Sequence, residues 1–370
     1  MTGFLKRALA LLLAFSLLFL LAACKKTEPI ALGCAYPSLN EVARVPWDLC
    51  LFDGKLYVGA GDYGRNIPPK EFMCYDTKTG AFQSVGACDD EQINRFLVLD
   101  GKLYAPGTDP RSSWDYGTYY RLEDGVFIEH FAIPDGVHTF DMCHYDGKLF
   151  AVIGTYLDTY PVQMSRDGGE SFETVMLMRD GESVPPAKAS EDEVNRCYNL
   201  FPLSNGLFLF YLGSLYRYDA ESETFLFEKE YRSYYLDKDT YVPILSDCEF
   251  GGKFFFTTMF LYRAELEEKT LSAPVEITLP DSEKISDLLV WEDTMYLLTL
   301  RKWGLSYTVK VYQTKDGENF DEAFAFSYPV PAMSFAYDGK QFYFGMGEIN
   351  AKQAENGTIL SYYYEESDTE

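Results

Sequence analysis

Five acidic side chains, Asp62, Asp109, Asp115, Asp158 and Glu348, fall in segments rich in aromatic and basic residues. Carboxylates in such surroundings could hydrolyse a glycosidic bond, one protonating the leaving oxygen and a second acting across the scissile bond. Around them stand Tyr63, Arg65, Arg111, Trp114, Tyr116, Tyr156 and Trp303. Flat rings stack on sugar faces while polar groups take hydroxyls, so this set also suits simple binding of a polyhydroxylated ligand. Arg95 and Arg196 close two similar runs, 90–95 and 191–196. They could form an anion site, since a guanidinium holds carboxylates in a bidentate manner. The alternative is that each pairs with the acids beside it, which the excess of acids favours.

Other chemistries lack their signatures. Gly59-Ala-Gly-Asp-Tyr-Gly64 has dinucleotide-loop spacing, but Pro68 and Pro69 follow and no helix can start there to hold a pyrophosphate. His130, His138 and His144 are read as surface and strand residues, because their spacing is poor for a metal. A nucleophile-elbow sequence is absent, and Asp237-Lys-Asp239 is at best half a calcium loop. The expectation is therefore no metal and no cofactor.

The elements that must position these residues show as a repeat. A turn followed by an aromatic-rich strand recurs as Leu51-Phe-Asp-Gly-Lys-Leu-Tyr57, Val98-Leu-Asp-Gly-Lys-Leu-Tyr104 and His144-Tyr-Asp-Gly-Lys-Leu-Phe150. Weaker copies begin at Leu203, Glu249 and Val290, and a clear one at Ala336. The second turn residue falls at 54, 101, 147, 206, 252, 293 and 339. Asp-Gly between apolar runs signals a hairpin, because a type I′ turn needs positive φ at both central positions. Units of this length match a propeller blade of four strands. The expected fold is an all-β, seven-bladed β-propeller of four-stranded antiparallel blades. A strand from residues near 35–45 would close the ring. An eight-bladed or irregular ring is the alternative. Cys50, Cys143 and Cys248 lie four residues before the turn glycine, and Asp48, Asp141 and Asp287 lie six before that position. A repeated structural slot explains both patterns, and these cysteines read as small buried hydrophobes. Cys74 and Cys88 could form a local bridge.

A second hairpin in the third unit reads Ser165-Arg-Asp-Gly-Gly-Glu-Ser-Phe172, and Thr314-Lys-Asp-Gly-Glu-Asn-Phe320 is a shortened relative. The first resembles the Asp-box, or bacterial neuraminidase repeat. The resemblance implies a sialidase-like propeller in which these residues brace an outer turn away from any active site. A Phe-Arg-Ile-Pro motif, which those sialidases carry, is missing, and the expected blade count differs from their usual six.

At the N-terminus, Lys6 and Arg7 precede the uncharged apolar run Ala8 to Ala23, which ends in Leu21-Ala22-Ala23-Cys24. The pattern is a targeting segment, too short for a full membrane span. It resembles the lipobox of bacterial lipoproteins, which implies that Cys24 is lipidated and that the body sits outside the cytoplasm, tethered to a membrane. The expected organisation is a signal peptide over 1–23, a lipidated Cys and tether over 24–34, the propeller over 35–365 and an acidic tail over 366–370. Composition agrees with a water-exposed body: 16% aromatic, 24% charged, and a formal net charge of −25 across 370 residues. Such acidity excludes a nucleic-acid binder, whose phosphate contacts need clustered bases.

The reading that follows is a binding or scaffolding module. Its ligand is a glycan, a peptide or an envelope protein, held on the end of the propeller where the longer loops lie. A sialidase-like glycoside hydrolase using the acids of the same end is the alternative.

Overall fold

Each of the seven turn sequences joins two antiparallel strands. Phe52 pairs with Lys55, Leu99 with Lys102, Tyr145 with Lys148, Leu203 with Gly206, Phe250 with Lys253, Trp291 with Thr294 and Tyr337 with Phe342. At the first turn Asp53 and Gly54 have φ of 47° and 72°, the doubly left-handed backbone that makes Asp-Gly the favoured pair there. The computed structural model describes residues 28–111, 116–186, 195–231, 244–280 and 283–365.

Among the described residues the strands group into seven sheets, numbered here in chain order. The first comprises Leu49–Phe52, Lys55–Val58, Lys70–Asp76 and Ala81–Cys88, and the second Leu97–Leu99, Lys102–Pro106, Tyr116–Glu123 and Val126–Pro134. The fifth runs from Ser246–Phe250 to Val275–Ile277 and the sixth from Lys284–Trp291 to Asp321–Tyr328. The seventh holds Ala332–Tyr337, Gln341–Met346, Thr358–Tyr363 and, at its outer edge, Ile30–Cys34. These five sheets are four-stranded.

The other two sheets correct the expectation of a seven-bladed ring of equal four-stranded antiparallel blades. The third sheet has seven strands and the fourth has six. The third gains Thr108–Pro110, Asp90–Gln92 and Asn195–Arg196. The fourth gains Leu177–Arg179, which pairs in parallel with Thr224–Glu230, and then Glu182–Ser183. The physical reason is that the third sheet's own outer strand is only Glu173–Thr174, so the chain leaves it early and hydrogen-bonds the next sheet instead. The described parts of the runs 90–95 and 191–196 add to the third sheet before the chain enters Leu97–Leu99 and Leu200–Leu203, the first strands of the second and fourth sheets.

Ring closure also lies earlier than expected. Ile30–Cys34 pairs with Thr358–Tyr363, within the segment read as tether. Residues 35–45 form turns instead, burying Tyr36, Leu39, Val42 and Ala43.

Packing is between faces of neighbouring sheets. One apolar cluster joins Tyr57, Phe72 and Phe127 of the first two sheets, and another joins Leu56, Tyr343 and Ile359 of the first and seventh. The Tyr and Phe content is used here: Phe72 stacks on Phe127 at 4.1 Å and Phe324 on Tyr362 at 4.0 Å. Such pairs add ~1 kcal/mol beyond area burial. The seven described cysteines are all free thiols. Cys74 and Cys88 do not bridge, because Cys74 lies opposite Gln83 and Cys88 opposite Lys70. Burial pushes the Cys50, Cys143 and Cys248 thiols up.

The repeated aspartates have a structural use. Asp48 accepts the backbone N–H of Phe96 at 2.6 Å, Asp141 that of Leu200 at 3.0 Å and Asp287 that of Phe335 at 3.2 Å. In each case an acid on, or just before, one inner strand pins the backbone on, or just before, the next sheet's inner strand.

Candidate functional site at the channel mouth

A cavity of about 1430 Å³ opens where the inner strands are entered and where second strands pass to third. Its wall includes Trp47, Asp48, Arg95, Phe140, Arg196, Tyr198, Asp247, Lys284, Asp287, Arg301, Tyr307 and Glu348. It exceeds the usual 300–1,000 Å³ of small-molecule pockets.

The floor is an ionic knot. The Arg95 guanidinium lies 3.2 Å from Asp141 and 3.1 Å from Asp247. Burial pushes the Asp141 carboxyl up to about 6 although Arg95 pulls it back, and burial together with neighbouring Asp48 pushes Asp287 up to about 7. Ser246 and Asp287 also hydrogen-bond, as do Glu283 and Thr299, at 2.6 Å for the latter pair. Lys310 pairs with Glu283 at 3.0 Å.

On the sixth- and seventh-sheet side, the Tyr307 phenol donates to Glu348 Oε1 at 2.6 Å and Lys302 Nζ reaches the same oxygen at 3.1 Å. The Tyr307 hydrogen bond, with help from Lys302, holds the Glu348 carboxyl below its usual range. On the opposite wall His138 stacks on Phe140 at 5.1 Å and Phe140 meets Tyr198 at 4.5 Å. His138 Nδ1 approaches Asp109 Oδ1 at 3.2 Å without a hydrogen-bonding geometry. Burial, then Arg196, lowers His138 to about 4, so it is neutral near pH 7. Burial raises Asp109 to about 6, against the pull of Arg196. Asp109 has φ of 55°, a left-handed backbone uncommon outside glycine.

Of the residues singled out in the sequence, Tyr63, Arg95, Arg196 and Glu348 meet on this cavity. Asp109 flanks it through His138. Asp62 is buried and fixed by Arg65 at 2.7 Å, and Arg65 also donates to Asn350 at 2.9 Å, tying the first sheet's loop to the seventh's. Arg111, Tyr116, Tyr156, Asp158 and Trp303 are exposed and lie off the cavity wall. Trp114 and Asp115 lie outside the described residues. The expected anion pair divides: Arg95 is neutralised by acids of other sheets, whereas among the described residues the Arg196 side chain hydrogen-bonds the Tyr198 hydroxyl, at 3.2 Å, and no carboxylate.

Sequence reasoning missed Gln92, His138 and Lys284 as wall residues. A signal existed, since all three lie nine positions before the second turn residue of their units. Among the described residues no group of three His, Cys, Asp or Glu side chains is arranged to hold a metal ion.

No family model matches the chain, and no curated protein matches it. Solved structures do. Virginiamycin B lyase from Staphylococcus aureus superposes with a TM-score of 0.56 at 11% identity, over 92% of this chain and 100% of that one. YCF48 from Cyanidioschyzon merolae gives 0.54 at 9% identity, over 89% of this chain and 98% of that one. PorZ, a surface component of the type-IX secretion system of Porphyromonas gingivalis, gives 0.53 at 13% identity. This chain covers 46% of PorZ, and 86% of this chain is matched. At these identities the likeness shows a shared β-propeller fold alone.

Proposed function

We propose that the chain is a lipid-anchored, extracytoplasmic propeller that binds a partner protein on its loop-rich end. One observation carries this reading. Every sheet bears an exposed large apolar side chain at the connection between its second and third strands: Tyr63, Tyr116, Leu157, Leu212, Phe260, Leu305 and Ile349. Leu305 is 97% exposed and neighbouring Trp303 71%. The opposite turns are polar, as at Asp53-Gly54, Asp100-Gly101 and Asp146-Gly147. Scattered surface apolar residues need no explanation, but one at the same connection of every sheet makes a crown around one end, the placement an interaction surface requires. The Leu21-Ala22-Ala23-Cys24 pattern, outside the described residues, supports the anchor. The Ser165–Phe172 turn supports the Asp-box likeness. Ser165 donates to Asp167 at 2.7 Å, Gly169 N–H to Ser165 at 2.8 Å and Ser171 N–H to Asp167 at 2.9 Å.

The test is site-specific photo-cross-linking of the membrane-anchored chain. Probes at Leu305 and Phe260 should join it to one common protein, while a probe at Thr79, in a polar turn of the opposite end, should not. Equal cross-linking from both ends, or none, rejects the docking surface. Loss of labelled fatty-acid incorporation in Cys24→Ala tests the anchor.

A second reading, sialidase-like glycoside hydrolysis, is favoured by the Tyr307–Glu348 hydrogen bond on the cavity wall and by the raised Asp109 carboxyl. Cleavage products from an oligosaccharide library, absent with Glu348→Gln, would make it primary.

A further inference from the structure

The cavity's charges are unevenly satisfied. Its wall carries five acids, Asp48, Asp247, Glu283, Asp287 and Glu348, and each has a partner. Those partners are the Phe96 N–H, Arg95, Lys310, the Phe335 N–H and Tyr307, respectively. Five cations also line the wall. Arg95 and Lys302 are paired with carboxylates. Arg196, Lys284 and Arg301 make no ion pair among the described residues. The wall carries as many acids as cations, but in a chain of net charge −25, with 57 acids against 32 Lys and Arg, three of its cations stand without an ion-pair partner among the described residues.

Placement sharpens the point. Lys284 lies opposite Leu300 in the sheet register, Arg301 is the next residue along that strand, and both line the cavity. Across the mouth, the His138–Phe140–Tyr198 stack supports Arg196 through the Tyr198 hydroxyl. Three cations held apart around one concave space can meet an anionic chain at more than one point. Electrostatic complementarity of this kind steers encounter and fixes register.

Building on the docking reading, we propose that the partner protein inserts an acidic segment into this mouth, its carboxylates meeting Arg196, Lys284 and Arg301 while its flanking surface covers the apolar crown. The crown favours a protein over an acidic glycan. Leu157, Leu212, Leu305 and Ile349 are aliphatic and spread around the whole end, which fits the apolar core of a protein interface better than a sugar platform. The cavity volume leaves room for a short stretch of chain.

The experiment selects binders of the detergent-solubilised full chain from a random short-peptide library and, in parallel, titrates it with oligogalacturonate as the acidic-glycan probe. Selected peptides should be enriched in Asp and Glu. Their affinity should fall about tenfold in Arg301→Glu and in the Arg196→Ala/Lys284→Ala double variant, and should weaken as salt rises. Unfolding midpoints equal to the parent's establish that these variants fold. Peptides of neutral or basic composition, or acidic ones whose affinity the cation variants do not change, overturn the acidic-segment proposal. So does oligogalacturonate binding that depends on the same cations in the absence of peptide binding. If peptides bind but only Leu305→Asp weakens them, the docking reading stands and the anionic reading falls. If Leu305→Asp and Phe260→Asp change nothing while the cation variants abolish binding, the crown is not the docking surface. If the library gives no binder, the proposal is overturned as well.

Discussion

Arg95 Nη2 stands 3.1 Å from Asp247 Oδ1, a contact between residues 152 positions apart that crosses the central channel from the approach to the second sheet to the inner strand of the fifth. The same guanidinium holds Asp141 of the third sheet at 3.2 Å. Both acids are largely buried, so their charge is tolerated only because Arg95 is there.

Removing the arginine should therefore cost more than the ion pair contributes. Arg95→Ala leaves two buried acids without their cation and is expected to lower unfolding free energy by about 3 kcal/mol. Arg95→Lys, a point charge without the planar fork, should lose less. Urea unfolding of the three proteins checks this, and a loss in Arg95→Ala within that of an ordinary surface change would contradict it.

The aspartate pins predict a local effect. In Asp48→Ala the Phe96 N–H, 2.6 Å from the carboxylate in the parent, loses its acceptor. The expected cost is ~1–3 kcal/mol. Asp48→Asn keeps an oxygen in place and should cost less. Amide hydrogen exchange at Phe96 should quicken in the alanine variant, with exchange at Leu200, pinned by Asp141, left near its parent rate.

What was legible in the sequence followed from how local each signal is. Asp53-Gly54 and its counterparts set their own backbone conformation, so the seven turns between first and second strands could be placed. The parallel pairing of Leu177 with Phe225 depends on a partner that no neighbouring residue announces, and Ile30–Cys34 finds its place only because the seventh sheet has an open edge. The site divides the same way. Arg95 and Arg196 end similar runs, but among the described residues only Arg95 is ion-paired with acids across the ring. The offset shared by Gln92, His138 and Lys284 was readable, yet its meaning required knowing that those positions face the channel.

A close contact behind the site gives a third prediction. Gly107 sits against the buried Asp90 network. A Cβ built on it would overlap Thr118 Oγ1 and come 2.8 Å from Asp90 Oδ1. Thr118 donates to Asp90 at 2.9 Å and Tyr120 at 2.5 Å, so neither side has room to yield without breaking a hydrogen bond. Gly107→Ala should destabilise by ~1–3 kcal/mol, the usual range for overpacking. A thermal midpoint unchanged from the parent's would contradict it.

The same Asp90 sets a pH dependence whose sign can be worked out. Burial raises its carboxyl to about 7, although the Tyr120 and Thr118 hydrogen bonds oppose the rise. Burial and Asp48 take Asp287 to about 7 as well. An unfolded aspartate titrates near ~3.9, so between about 4 and 7 the folded chain binds protons that the unfolded chain has released. Stability contributed by these two groups is therefore full on the acid side of that window and is lost as pH rises through about 7, levelling above it. Asp90→Asn and Asp287→Asn remove the titration while keeping an acceptor oxygen. Each variant should flatten the stability-against-pH curve between about 5 and 8, and at pH ~8 each should stand closer to, or above, the parent in unfolding free energy. Urea unfolding across that range measures it. Curves for the variants parallel to the parent's would mean that neither carboxyl is protonated in the folded chain near neutrality.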